Sequence, residues 1–224
     1  GAYIDQSKCR ECGRCAEACP YHAIADLMRP CKRSCEVNAI SIGGDKIASI
    51  DNKKCIACGH CAVACPFGAI SDISHITHVI KQIKDPNRVT VAIPAPAAEG
   101  QFGPTVTVGR LKTALKKLGF DYVYEVALGG DLVSMNEAKE LIEKKSEGKK
   151  MTTSCCPAFV NLIRKHYPEL MEYVSTTVSP MQANVRYIQE KHPGAYIVFI
   201  GPCIAKKFEA EMMEAPDAVM TFEE

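Results

Sequence analysis

The stretch Cys9-Arg10-Glu11-Cys12-Gly13-Arg14-Cys15-Ala16-Glu17-Ala18-Cys19-Pro20 returns further along the chain as Cys55-Ile56-Ala57-Cys58-Gly59-His60-Cys61-Ala62-Val63-Ala64-Cys65-Pro66. In each run a tight loop offers three thiols at i, i+3 and i+6, and a fourth follows four residues on, just before proline. The chain has 224 residues and 13 cysteines, ten of them between positions 9 and 65. An odd count, short regular spacings and no visible secretory leader argue against a disulfide framework. They favour a reducing compartment and metal ligation.

Four thiolates around a cube is what a [4Fe–4S] cluster requires, and in two-cluster ferredoxins the fourth cysteine of each run serves the other cluster. One cluster is therefore assigned to Cys9, Cys12, Cys15 and Cys65, the other to Cys55, Cys58, Cys61 and Cys19. Zinc, the alternative, more often takes two Cys-x-x-Cys pairs. A complication lies between the runs. Cys31-x-x-x-Cys35 is followed by Glu-Val-Asn-Ala39-Ile40, echoing Pro-Tyr-His-Ala23-Ile24 after Cys19 and Pro-Phe-Gly-Ala69-Ile70 after Cys65. Residues 20–35 thus read as an insertion that duplicates the half-motif. Cys35 competes with Cys19 for the fourth-ligand role, and Cys31 has no assigned part. His60 reads as an exposed loop residue near the cluster; His75, His78, His166 and His192 read as surface or internally satisfied.

Residues 73–84 carry an amphipathic helical pattern that stops at Asp85-Pro86. That sets a boundary, with an α+β ferredoxin-like module over 1–85 and an α/β domain with a parallel sheet over 86–224. In the second part, strands are expected at Val89–Ile93, Tyr122–Val126, Lys150–Thr153 and Ala195–Ile200. Helices are expected around Leu111–Leu118, Ser134–Lys145, Phe159–His166, Met181–Lys191 and Cys203–Met213. Strands alternating with helices argue for parallel pairing, with function at the carboxyl ends of strands. Both remaining cysteine sites, Cys155/Cys156 and Cys203, fall at strand-to-helix turns. The positive end of a helix favours thiolate, and Lys206 shares a face with Cys203 where anions are welcome. Taken singly, each of these cysteines also reads as a buried core thiol. The formal net charge of +1 suggests no nucleic-acid partner. No apolar run approaches the roughly 20 residues of a membrane span.

Thr153-Ser154-Cys155-Cys156-Pro157 and Gly201-Pro202-Cys203-Ile204-Ala205-Lys206-Lys207, together with Ala95-Pro96, Asp131-Leu132, Tyr167-Pro168-Glu169-Leu170 and Ser179-Pro180, resemble the [FeFe]-hydrogenase catalytic domain and its first two signature motifs. The resemblance extends over nearly the whole chain. It implies that Cys156 and Cys203 ligate the [4Fe–4S] part of an H-cluster and that Cys155 passes protons to the bridgehead amine of its diiron subsite. Lys206 would hydrogen-bond a cyanide ligand, and Ala95 and Pro96 would line the diiron pocket. Glu137, Ser175 and Glu140 would carry protons outward.

Each relay residue has a plainer reading. Ser134-x-x-Glu137 is a capping box, Glu140 pairs with Lys144 at i+4 on a solvated face, and Ser175 is a loop residue. Ala158-Phe159 stands in place of the family's usual Gly-Trp, Gly201 in place of a methionine, and Met181 where glutamine is common; these mark a divergent branch. The third signature motif, which should bring two more cysteines, is not reached by Glu224, so the chain is expected to be a fragment of a longer enzyme or to be completed by a second chain. The resemblance further implies ferredoxin-dependent hydrogenase activity, a soluble ferredoxin-type electron carrier and maturation proteins as partners, and a cytoplasmic setting in an anaerobic prokaryote. The alternatives are a non-catalytic redox or hydrogen sensor on the same scaffold, and a cubane-only electron-transfer or cluster-assembly protein.

Overall fold

The computed structural model describes residues 3–5, 8–10, 13–24, 28–43 and 47–224. The chain divides into two compact units: residues 1–51 with 60–70, and residues 52–59 with 71–224.

The first unit holds short helices α1 (Arg14–Glu17), α2 (Pro30–Arg33) and α3 (His60–Val63), and an antiparallel pair of strands, β1 (Ile40–Ile42) and β2 (Ala48–Ile50). Ile40 faces Ile50 and Ser41 faces Ser49 across that pair. Its small buried centre comprises Cys31, Ala39 and Ile40. Pro30 opens α2, in the first turn, where the N–H it lacks would have had no partner within the helix.

Among the described residues of the second unit, four parallel strands lie in the order β4 (Tyr122–Val123), β3 (Thr90–Pro94), β5 (Tyr196–Ile200), β6 (Ala218–Met220). The period of two divides the strand side chains cleanly. Val91, Ile93, Ile197, Phe199 and Val219 join one core with Met181, Val185 and Ile188. Ala92, Val198, Ile200 and Ala218 join a second core with Val79, Leu115 and Phe120. Helices thus cover both faces: α8 (Pro180–Lys191) and α9 (Ala205–Met213) on the first, α4 (Ile76–Ile83) and α5 (Val108–Leu118) on the second. Full burial of each of the large aliphatic side chains contributes about 1.5–3 kcal/mol. The central strands β3 and β5 therefore form the most heavily secured part of the unit.

Several sequence expectations need correction. The strand expected over Tyr122–Val126 ends at Val123, because Val126 opens helix α6 (Val126–Ser146). That helix was expected to begin at Ser134. Gly129 and Gly130 hide its first two turns, since each glycine costs about 1 kcal/mol relative to alanine in a helix interior. Tertiary packing overrides this: a Cβ on Gly129 would lie 2.1 Å from the Pro180 carbonyl oxygen, so glycine is what lets α6 and α8 approach. Ser134 is accordingly mid-helix and caps nothing. The strand expected at Lys150–Thr153 is reduced to a single bridge between Thr152 and Val174. Strand β6 was not anticipated. The expected helices at 111–118, 159–166 and 181–191 appear as α5, α7 (Pro157–His166) and α8, and α5 ends where Gly119 turns left-handed at φ 115°. α4 and α9 start later than expected, at Ile76 and Ala205.

Candidate iron–sulfur and proton-transfer site

The first-unit cysteines sit in a repeated piece of backbone. Three residues after Cys19, Cys35 and Cys65 come His22, Asn38 and Gly68, with φ of 49°, 50° and 61°. Each donates its N–H to the carbonyl of its cysteine, at 3.1, 3.0 and 3.3 Å. One residue further on, the amides of Ala39 and Ala69 donate to Cys35 Sγ at 3.2 Å and Cys65 Sγ at 3.3 Å. Amide donation stabilises thiolate. The Ala23 and Tyr21 amides hold the Cys19 thiol below its ordinary range, and the Phe67 and Ala69 amides do the same for Cys65. Sulfur with oriented amides is the donor set that suits iron in a cubane. Cys9 precedes α1 and Cys15 lies within it, Cys31 is buried within α2 and Cys61 lies in α3; Cys12 lies outside the described residues. Cys55 and Cys58 sit in the 52–59 segment of the second unit, where the Ala57 amide donates to Cys55 Sγ at 3.4 Å. Among the described residues, no three His, Cys, Asp or Glu side chains close into a metal cage.

The second unit builds its site at the carboxyl ends of β3 and β5. Ala95 follows β3 and donates its amide to the Ile200 carbonyl at 2.8 Å; Pro96 beside it is exposed. Gly201 follows β5. A Cβ there would stand 2.7 Å from the Phe199 ring and 3.0 Å from Ala95 Cβ, so the aromatic ring fills the space a larger residue would need. Cys156 is the residue before α7 and Cys155 precedes it; both are exposed. Cys203 stands just ahead of α9 and is partly covered.

Lys206, 8% exposed, joins the two motifs. Its ammonium donates to the Cys155 carbonyl at 3.4 Å and pairs with Glu209 at 2.6 Å. Glu209 was missed by sequence reading; its signal was only its i+3 spacing from Lys206. Exposed soft thiols beside a nearly buried cation fit an iron–sulfur group that carries anionic ligands. Thr153 also approaches Cys155 Sγ, at 3.4 Å.

Of the expected relay residues, Ser175 and Glu140 are directly joined: Ser175 Oγ donates to Glu140 Oε2 at 2.6 Å. The Thr176 amide and hydroxyl reach the same carboxylate at 3.0 and 3.2 Å, and Lys144 lies 3.4 Å away. Burial raises this carboxyl, but Ser175, Thr176 and Lys144 together outweigh it and hold it at about 2. The i+4 pair with Lys144 is present, yet the face is not solvated, since the Glu140 side chain is only 14% exposed. Glu137, one helical turn earlier, accepts from the Ser154 amide at 3.2 Å, which sets it beside the Cys155 turn. Ser154 Oγ in turn donates to the Thr177 carbonyl. A cavity of about 270 Å³ is lined by Ser154, Asn161, Ser175, Thr177 and Glu209 among others, with neither Glu137 nor Glu140 in its wall. His75 and His166 are internally satisfied, as expected, through Val219 and Lys54.

Residues 88–224 match the family described as the iron-only hydrogenase large subunit, C-terminal domain. The chain belongs to that family. Within this hydrogenase-family chain, residues 2–25 and 48–71 also match the 4Fe-4S binding domain. Similar proteins include iron hydrogenase 1 of Clostridium pasteurianum, 33% identical over 93% of this chain and 39% of that protein. The periplasmic [Fe] hydrogenase large subunit of Nitratidesulfovibrio vulgaris is 31% identical over 92% of this chain and 50% of its own length. The cytosolic Fe-S cluster assembly factor NAR1 of Candida dubliniensis is 32% identical over 46% of this chain and 19% of its own length. The chain therefore spans half or less of the curated relatives it matches. Cys31 and Cys35 fall outside both 4Fe-4S matches. No helix among the described residues is long and apolar enough to cross a membrane.

Proposed function

We propose that this chain carries the electron inlet and part of the catalytic centre of a ferredoxin-dependent [FeFe]-hydrogenase, which runs 2H⁺ + 2e⁻ ⇌ H₂. The observation that carries the reading is the bond from Lys206 Nζ to the Cys155 carbonyl. It ties the first signature motif to the second at one end of the sheet. Cys156 and Cys203 are the ligands this chain would offer to the cubane half of an H-cluster. When bound, that group supplies the iron at which hydrogen forms or splits.

The chain's own residues hold and move protons. Cys155 offers an exposed thiol, and Ala95 and Pro96 would line the pocket of the diiron unit it serves. Glu137 waits behind it at the Ser154 amide, and the Ser175–Glu140 pair leads outward to Lys144. Glu140, ionised above about pH 2 at rest, receives a proton through Ser175 rather than storing one. Lys206 places a positive charge where an anionic iron ligand would sit. The cysteine runs of the 1–85 module would hold two [4Fe–4S] clusters, which would supply one-electron transfer from a soluble ferredoxin-type carrier. Their ligands are the two runs, and Cys35 joins Cys19 as a candidate because its turn repeats the Cys65 geometry. Maturation proteins would install the diiron unit, and the setting is the cytoplasm of an anaerobe. Loading full-length protein with a matured diiron unit tests the reading: infrared bands from Fe–CO and Fe–CN are expected, and their absence overturns it.

A second reading, a cubane-only cluster-assembly or electron-transfer protein, is favoured by the similarity to NAR1. Iron analysis that finds cubane iron alone after maturation would select it. Very slow turnover coupled to a signal would instead select a sensor, in keeping with the Phe199 ring occupying the space at Gly201.

A further inference from the structure

The second cysteine run begins inside the second unit, and its approach is held by side chains that neither packing nor the proton path explains. Lys165, near the carboxyl end of α7, donates to the Asn52 carbonyl at 2.9 Å and to the Cys55 carbonyl at 2.5 Å. His166 Nε2 meets the Lys54 carbonyl at 2.9 Å, so that nitrogen carries the proton. The Lys165 ammonium also lies 5.5 Å from the centre of the Phe208 ring on α9. At the far end of the same loop, Gly59 is buried with φ 83°, and a Cβ there would stand 2.7 Å from Ile204 Cδ1. The Cys55–Cys58 loop is thus fastened to α7, which Cys156 precedes, and packed against Ile204, which stands between Cys203 and α9. Flexible, strongly hydrated lysine is a poor choice for packing alone, and charged donors to carbonyls are the strong class of hydrogen bond.

We propose that Lys165 is a positioning residue for the electron inlet: its ammonium fixes the Cys55–Cys58 loop on α7 and raises the reduction potential of the cluster those cysteines ligate. This rests on the [4Fe–4S] reading of the second run and not on the diiron unit. Reduction of a cubane by one electron from the carrier adds one negative charge to it. A fixed cation on the carbonyl of a ligand cysteine stabilises the reduced form more than the oxidised one, and charge and hydrogen bonding are among the levers that set such potentials. His166 supplies a second, geometric restraint on the same backbone.

The test is a redox titration of the iron-loaded protein followed by electron paramagnetic resonance, on wild type, Lys165→Gln and Lys165→Arg. Iron content and the wild-type cubane signal come first; if the wild type shows no such signal, the cluster reading has failed rather than the role of Lys165. With it present, Lys165→Gln is expected to shift one cluster to lower potential, and Lys165→Arg to restore the wild-type value. Selective loss of that cluster in Lys165→Gln, with Lys165→Arg intact, equally supports a charged anchor. An unshifted Lys165→Gln, or a Lys165→Arg that behaves like it or loses the cluster, overturns the proposal.

Discussion

Ser175 Oγ donates to Glu140 Oε2 at 2.6 Å, joining the segment after α7 to the middle of α6 across 35 positions of sequence. The contact is short, nearly buried and shared with Thr176, so its chemistry is separable from folding by small substitutions. In matured full-length enzyme, Ser175→Ala and Glu140→Gln are each expected to slow hydrogen evolution by about 10²-fold or more, the lower end of what a positioned proton-transfer group contributes. Cluster iron should be unchanged. Equal rates in variant and wild type would remove both residues from the proton path.

Glu140 also predicts an acid limit. Its carboxyl falls from an ordinary 4.5 to about 2 in the folded protein. The unfolded chain therefore binds that proton more readily, so the stabilising contribution is complete above about pH 4.5 and is lost as pH falls towards 2. Urea midpoints measured across that window should fall less steeply in Glu140→Gln than in wild type.

A second polar knot sits at Lys207, which pairs with Asp72 at 2.6 Å and Glu224 at 2.7 Å. Glu224 also accepts from the His75 amide, and His75 Nδ1 accepts from the Val219 amide. Lys207→Met would strand two poorly solvated carboxylates and is expected to destabilise by about 3 kcal/mol, read from urea unfolding. Burial and then Lys207 lower the His75 pKa from 6.5, against the opposing pull of Glu224 and Asp72. Folded protein thus releases this proton more readily than unfolded; stability should be complete above about pH 6.5 and decline below it. His75→Gln should remove that first acid step.

Adjacent glycines in α6 should behave oppositely. Gly129→Ala drives a methyl into the Pro180 carbonyl at 2.1 Å, whereas Gly130 has nothing within 4 Å. The first is expected to cost about 1–3 kcal/mol from overpacking and the second to gain up to about 1 kcal/mol from helix propensity. Thermal denaturation of the two variants side by side checks the sign.

Cys35 should be shielded by iron. In cluster-loaded protein its thiol is expected to resist iodoacetamide and to become reactive after chelation, with modification sites read by mass spectrometry. Equal labelling in both states would leave the role to Cys19.

Much of this was legible because it rests on local chemistry. The repeated cysteine runs, the helix stop at Gly119 and the apolar strand at 196–200 each announce themselves within a few residues. What stayed hidden depends on distant contacts. Gly129 reads as a helix breaker until Pro180 is seen against it. Ser134-x-x-Glu137 reads as a cap until two further turns are found upstream. β6 is short and gains its place only by pairing with β5, while the hold of Lys165 on Cys55 spans 110 positions.

Glu137 and Glu140 ride on one uninterrupted helix, three residues apart. A helix advances 1.5 Å and turns about 100° per residue, so the offset between the two carboxylates is set by helical geometry rather than by either side chain. Exchange of one acid for another leaves that offset alone, but an insertion or deletion between them would swing one carboxylate to a different side of the rod. The pair is therefore open to chemical tuning yet closed to changes in length, and divergence at this spot should be confined to substitution.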